Sequence, residues 1–160
     1  MGKVSTETPV FEITLRKYEK PESVSGRELV KKVCLSLGLL QPGDSRDVIV
    51  DVLFVLLRKR PKGMTSIELE KEVIKFREQN KMPMLGIASS NLRRQVRRLR
   101  ALFLVEKSQK RYRITEGEEL AAIFSERISS FLLSSTTARV LEYLQAADAE
   151  FSKKPKSPSA

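Results

Sequence analysis

From Val48 to Leu57 almost every position is apolar, Val48, Ile49, Val52, Leu53, Val55, Leu56 and Leu57 among them, and the run is broken only by Asp51. A helix that is apolar nearly all round has to be buried, so this stretch is expected to be the spine of the domain. Asp44, with Asp47 three residues on, is expected to cap it, and Arg58, Lys59 and Arg60 before Pro61 to end it. Upstream, Ser25-Gly26-Arg27-Glu28 has the form of a capping box and opens a helix with Leu29, Val30, Val33, Cys34 and Leu37 inward. Gly38 is placed to stop that helix, and Gln41-Pro42-Gly43 makes a turn. Downstream, Thr65-Ser66-Ile67-Glu68 is a second capping box, with Leu69, Val73 and Phe76 behind it. Ser89, Ser90 and Asn91 then open a further helix, residues 89–103, on whose inner stripe Leu92, Val96, Leu99 and Phe103 recur at helical spacing.

The remaining patterns lie at the two ends of the chain. Phe11, Ile13 and Leu15 alternate with Glu12, Thr14 and Arg16, a period of two that predicts a strand or extended arm within residues 1–24. Leu104 to Lys107, the polar turn Ser108-Gln109-Lys110, and Arg111 to Thr115 predict a hairpin. Residues 118–151 carry two more helical stripes, Leu120, Ile123, Phe124, Ile128, Phe131 and Leu132, then Val140, Leu141 and Leu144. The run Ser134 to Thr137 is expected to break the helix between them. A basic tail, residues 152–160, has too little apolar content to fold.

Charge changes the picture most. Between Ser89 and Arg113 there are nine cations against Glu106 alone, an excess of eight out of a whole-chain net charge of +10. Five of them are arginines on one helix: Arg93, Arg94, Arg97, Arg98 and Arg100. At about 100° per residue, Ser90, Arg94 and Arg97 fall opposite the apolar stripe, with Asn91 and Arg98 nearer its edge. Charge concentrated on one helix and one hairpin is the footprint of a polyanion-binding surface.

Ser89-Ser90-Asn91-Leu92-Arg93-Arg94, preceded by Met64-Thr65-Ser66-Ile67-Glu68-Leu69 and followed by Tyr112-Arg113-Ile114-Thr115-Glu116-Gly117, resembles winged helix-turn-helix transcription regulators of the MarR, ArsR and PadR kind. The resemblance covers roughly residues 44–117. It implies a mainly α fold with a small β-hairpin wing, the winged helix occupying 25–117 with its preceding helix, and two C-terminal helices added. The stretch from Asn80 to Ala88 is longer than the tight turn of a simple helix-turn-helix.

On this reading the chain is a sequence-specific double-stranded DNA-binding transcription regulator. The helix 89–103 lies in the major groove, presenting Ser90, Asn91, Arg94 and Arg98 to base edges. Arg93, Arg97 and Arg100, with Lys107, Lys110 and Arg111 of the wing 104–115, are expected on phosphates, where contacts position the protein without reading sequence. A homodimer is expected through Ile123, Phe124, Ile128, Phe131, Leu132, Val140, Leu141 and Leu144. Two alternatives use the same charge: a non-specific architectural or chromatin protein, and an interaction module whose arginine face meets a partner in a transcription or replication assembly.

Catalytic chemistry finds little to work with. The chain has no histidine, so no histidine base, triad or zinc site can be assembled. The lone Cys34 reads as a small core residue, and no phosphate-cradling glycine loop is present. No enzyme activity, cofactor or metal is expected. No apolar run approaches the ~18 residues of a membrane span, and the first ten residues lack the apolar core of a secretory signal. A cytoplasmic protein is expected, nucleoid-associated if prokaryotic.

Overall fold

The computed structural model describes residues 6–152; the expected basic tail, apart from Ser152, and the first five residues of the arm lie outside them. The chain is mainly helical with one two-stranded antiparallel hairpin. Its elements run α1 (Gly26–Ser36), α2 (Val48–Arg58), α3 (Ser66–Gln79), α4 (Ser89–Ala101), β1 (Val105–Ser108) and β2 (Arg111–Ile114). A single 3-10 turn, Thr115–Gly117, then leads into α5 (Leu120–Ile123), a π-wound segment (Phe124–Leu133) and α6 (Ser134–Phe151).

As its composition requires, α2 is the spine. It packs against α1, α3, α4 and β2, and every residue from Val48 to Leu56 except Phe54 is buried. Phe54, half-buried, meets Phe76 of α3 with ring centroids 5.3 Å apart, within the range of favourable tilted aromatic pairs. Asp51 is buried too. Its Oδ1 accepts from Arg27 Nε of α1 at 2.7 Å and its Oδ2 from Arg77 Nη1 of α3. Asp47 Oδ2 adds a bond to Arg27 at 3.0 Å, and Arg77 Nε donates to the Pro83 carbonyl at 2.8 Å. Two arginines and two aspartates thus form a closed, charge-neutral cluster joining α1, α2, α3 and the loop after it. A buried charge is tolerated only when paired and hydrogen-bonded in this way.

Local cap signals were followed in part. The Thr65 box forms both of its bonds, Glu68 N to Thr65 Oγ1 at 3.2 Å and Thr65 N to Glu68 Oε1 at 3.0 Å. The Ser25 box does not form: Ser25 makes no side-chain cap bond, and Gly26 takes φ +59°. Asp44 does not cap α2, which starts four residues later. It accepts instead from the Arg46 N–H at 2.9 Å. Leu29, expected inward, is exposed. Gly38 does stop α1, at φ +70°; a Cβ there would lie 2.6 Å from that of Thr14.

Among the described residues of the N-terminal segment no strand forms; after a helical turn at Thr6 and Glu7 the chain runs as an irregular arm. Phe11 and Ile13 pack on the core while Leu15 stays exposed. Arg16 anchors it, donating to the carbonyls of Leu35 and Leu40 and to Gln41 Oε1. At the other end the expected helix break is absent. Backbone angles remain helical through Leu133 and Ser134, because Ser135 and Thr136 turn their hydroxyls back to the Leu132 carbonyl and leave the helix intact. The rod's first half packs on the core through Ile123 and Ile128, both buried. Its second half, α6, has no buried residue and makes its main contacts with the π-wound segment that precedes it.

Candidate nucleic-acid interface

The basic helix α4 is seated by Leu92, Val96 and Leu99, all buried, as the apolar stripe predicts. It ends at Ala101, so Phe103 lies beyond it, half-buried at φ +62°. Ser89 gives no cap bond; its hydroxyl donates to Glu70 Oε1 of α3 at 2.8 Å and ties the two helices together. Gln95, polar in the middle of the inner face, is buried.

Gln95 belongs to a chain of side-chain bonds along the edge of α4. Asn91 Nδ2 donates to the Gly86 carbonyl at 2.7 Å, and Gln95 Nε2 to Asn91 Oδ1 at 3.0 Å. Arg98 Nη1 donates to Gln95 Oε1 at 2.9 Å, and its Nη2 to the Leu39 carbonyl at 2.7 Å. Burial, with repulsion from Arg94, lowers the Arg98 pKa from its ordinary value. Two of the four residues expected to face bases, Asn91 and Arg98, are therefore engaged inside the molecule, fastening α4 to the loops before α2 and before α4 itself. Ser90 and Arg94 remain on the outside.

Arg93, Arg94, Arg97 and Arg100 are all exposed. None of them has an acidic partner among the described residues, whose ion pairs involve other cations throughout. Beside Arg94 a polar cleft of about 400 Å³ is lined by Asp44, Arg46, Asn91 and Arg98. Arg46 escaped the reading from sequence, since it sits in a loop with no periodic signal, far from α4 along the chain.

The hairpin stands next to this face. Glu106 pairs with Arg113 across the strands, and the two-residue turn Gln109-Lys110 has φ +50° and +65°, the backbone of a primed turn. Ser108 accordingly belongs to β1. Met64 is bonded to Tyr112 in both directions, at 2.8 and 2.7 Å, so the hairpin is fixed to the entrance of α3. Gly63 allows this contact: a Cβ there would lie 2.2 Å from the Tyr112 carbonyl oxygen.

The hairpin cations divide into two groups. Arg111 is half-buried, donating to the Gly63 carbonyl at 3.1 Å and pairing with Glu68 at 3.2 Å. Arg113 is held by Glu106 Oε2, which also accepts from the Glu116 N–H at 3.0 Å. Burial alone would raise the Glu106 pKa, but these bonds and the Arg113 charge bring it below 4.5. Lys107 and Lys110 are exposed, Lys107 lying 5.5 Å from the Tyr112 ring centroid. The outward-facing cations are thus Arg93, Arg94, Arg97 and Arg100 on the helix, with Lys107 and Lys110 on the hairpin.

Cys34 is fully buried, and burial pushes its thiol up to about 12, out of reach as a nucleophile near neutral pH. Among the described residues no group of three or more acidic or cysteine side chains could hold a metal, and no helix is long and apolar enough to cross a membrane. Comparison of the chain with protein-family models, with curated proteins and with solved structures finds no match.

Proposed function

We propose that this chain is a winged-helix protein that binds double-stranded DNA as a sequence-specific transcription regulator. The order α2, Met64 bridge, α3, α4, hairpin supports the winged-helix reading. The observation that carries the function is the exposed face of Arg93, Arg94, Arg97 and Arg100 with no acidic partner among the described residues. Four like charges on about two turns of helix repel one another until an anion arrives.

In the proposed complex α4 enters the major groove. Arg94 reads guanine through O6 and N7, a bidentate contact worth about 1–3 kcal/mol of discrimination, and Ser90 makes a lesser contact. Arg93, Arg97 and Arg100 take phosphates on either side, while Lys107 and Lys110 reach the neighbouring backbone or minor groove. Asn91 and Arg98 act indirectly by holding α4 at its angle. The protein works as a homodimer through its projecting C-terminal helix. It binds without catalysing a reaction.

One observation favours a second reading, architectural binding without base discrimination: internal bonds claim Asn91 and Arg98 and leave few outward base readers. The first test is a titration of a random-sequence duplex between 50 and 200 mM salt. About six phosphate contacts predict a loss near 10³-fold in affinity across that range. Replacing Arg93, Arg94, Arg97 and Arg100 together by alanine should flatten the slope. A wild-type protein that fails to bind any duplex at 50 mM would overturn the DNA reading and assign the face to an acidic partner protein.

A further inference from the structure

The outer half of the C-terminal rod presents an apolar seam with nothing on it. Leu133, Thr137, Val140, Leu144, Ala147 and Phe151 recur at spacings of four, three, four, three and four, the interval that keeps one line of a helix facing a partner helix. Val140, Leu144 and Phe151 are exposed by 53%, 57% and 82%. A helix of 18 residues that packs on nothing in its own chain is marginal in water, and its stability has to come from elsewhere.

We propose that a second copy of this chain covers the seam in antiparallel register, setting Leu133 against the partner's Phe151, Thr137 against the partner's Ala147, and Val140 against the partner's Leu144. The two-fold axis passes beside Glu142, and the same three pairings recur on its other side. This register is the one in which all six positions find a seam partner, with the two small residues opposite each other. Flanking positions agree with it. Asp148 falls opposite the partner's Ser134 and Glu150 opposite the partner's Thr136, so no like charges meet. Leu141 and Tyr143 meet their own copies near the axis. Counted from both chains, the seam and its apolar flanks amount to on the order of 1,200 Å², the small end of specific interfaces, so the dimer should dissociate on dilution.

A parallel pairing is disfavoured on two grounds. It would bury Thr137 against its own copy, and it would bring both arginine faces to the same end of the rod, where they repel. Antiparallel pairing puts the heads at opposite ends, with the two Leu133 residues about 27 Å apart at 1.5 Å per residue, and it opposes the helix dipoles. The register stands on the helix alone. Only its consequence rests on the DNA reading: the two α4 helices are carried by heads at opposite ends of the paired rod, as a two-fold reader of two half-sites requires.

Cross-linking of the full chain without DNA separates the possibilities. Leu133→Cys and Phe151→Cys proteins are mixed and treated with a short bis-maleimide; the buried Cys34 is shielded from the reagent. The mixture should cross-link between chains, and neither variant alone should. Thr137→Cys mixed with Ala147→Cys should behave the same way, which covers the case of a Leu133 variant that folds poorly. Leu144→Glu should sediment as a monomer at concentrations where wild type is a dimer, losing part of the rod's helical signal while the core's unfolding transition is kept. Phe151→Cys cross-linking efficiently to itself would mean a parallel pair and overturn the register. A wild-type chain that stays monomeric up to hundreds of micromolar would overturn the proposal altogether. Loss of DNA binding alone would leave it standing.

Discussion

Arg77 of α3 donates to the carboxylate of Asp51 on the central helix at a point where neither side chain reaches water. The bond makes three helices and the loop at Pro83 depend on one charge. Removing one partner of a buried pair leaves the other charge uncompensated. Asp51→Ala should therefore cost about 3–5 kcal/mol in urea unfolding. Arg77→Met combined with Asp51→Leu should cost distinctly less than the sum of the two single changes, since both charges leave together. A simple sum would show that the cluster is no unit.

The two kinds of residue on α4 should separate in experiment. Arg94→Ala, at an exposed position, should leave stability within about ±0.5 kcal/mol and act only on nucleic-acid binding. Asn91→Ala and Arg98→Ala should each lower stability by about 1–2 kcal/mol, because buried carbonyl and amide groups lose their partners. Thermal unfolding of the three variants decides this. An Arg98→Ala protein as stable as wild type would return Arg98 to the list of free, outward arginines.

Acid should loosen the hairpin and the start of α3. Bonds from the Thr65 backbone and hydroxyl lower the Glu68 pKa, and the Glu116 N–H and Arg113 offset burial to lower that of Glu106. A carboxyl with a lowered folded pKa contributes stability above its ordinary 4.5 and loses it as pH falls through the folded value. Stability should therefore be flat from neutral pH to about 5.5 and fall below 4.5. Glu106→Gln should be less stable at pH 7 and show a shallower acid decline; an unchanged decline would mean that Glu106 has no part in it.

The Gln109-Lys110 turn is stabilisable. Both residues hold positive φ, a conformation that costs roughly 1–2 kcal/mol per ordinary residue and that Asn-Gly accepts readily. Gln109→Asn with Lys110→Gly should raise the urea midpoint, equivalent to about 1 kcal/mol, while weakening duplex binding through the lost charge. A drop in stability would mean that the Lys110 side chain makes a contact needed by the hairpin.

What the sequence made legible was the part governed by period and by near neighbours. The all-apolar α2, the seat of α4 on Leu92, Val96 and Leu99, and the Thr65–Glu68 box are each decided within a few residues. What escaped it depended on groups distant in the chain. Asp51 looked like an interruption because its partners Arg27 and Arg77 lie 24 and 26 residues away. Arg98 looked free because the carbonyl that takes it, Leu39, is 59 residues away. Ser134 to Thr137 looked like a break because hydroxyl residues serve equally to cap a helix and to bond back to its carbonyls.

The central claim is that α4 reads sequence. The decisive measurement is selection from a pool of random duplexes at several salt concentrations, with wild type and Arg94→Ala in parallel. A defined motif should be enriched, with Arg94→Ala relaxing preference for one guanine by the equivalent of about 1–3 kcal/mol and leaving the other positions alone. Strong, salt-dependent binding that enriches no motif would contradict it, and would make the arginine face an architectural surface.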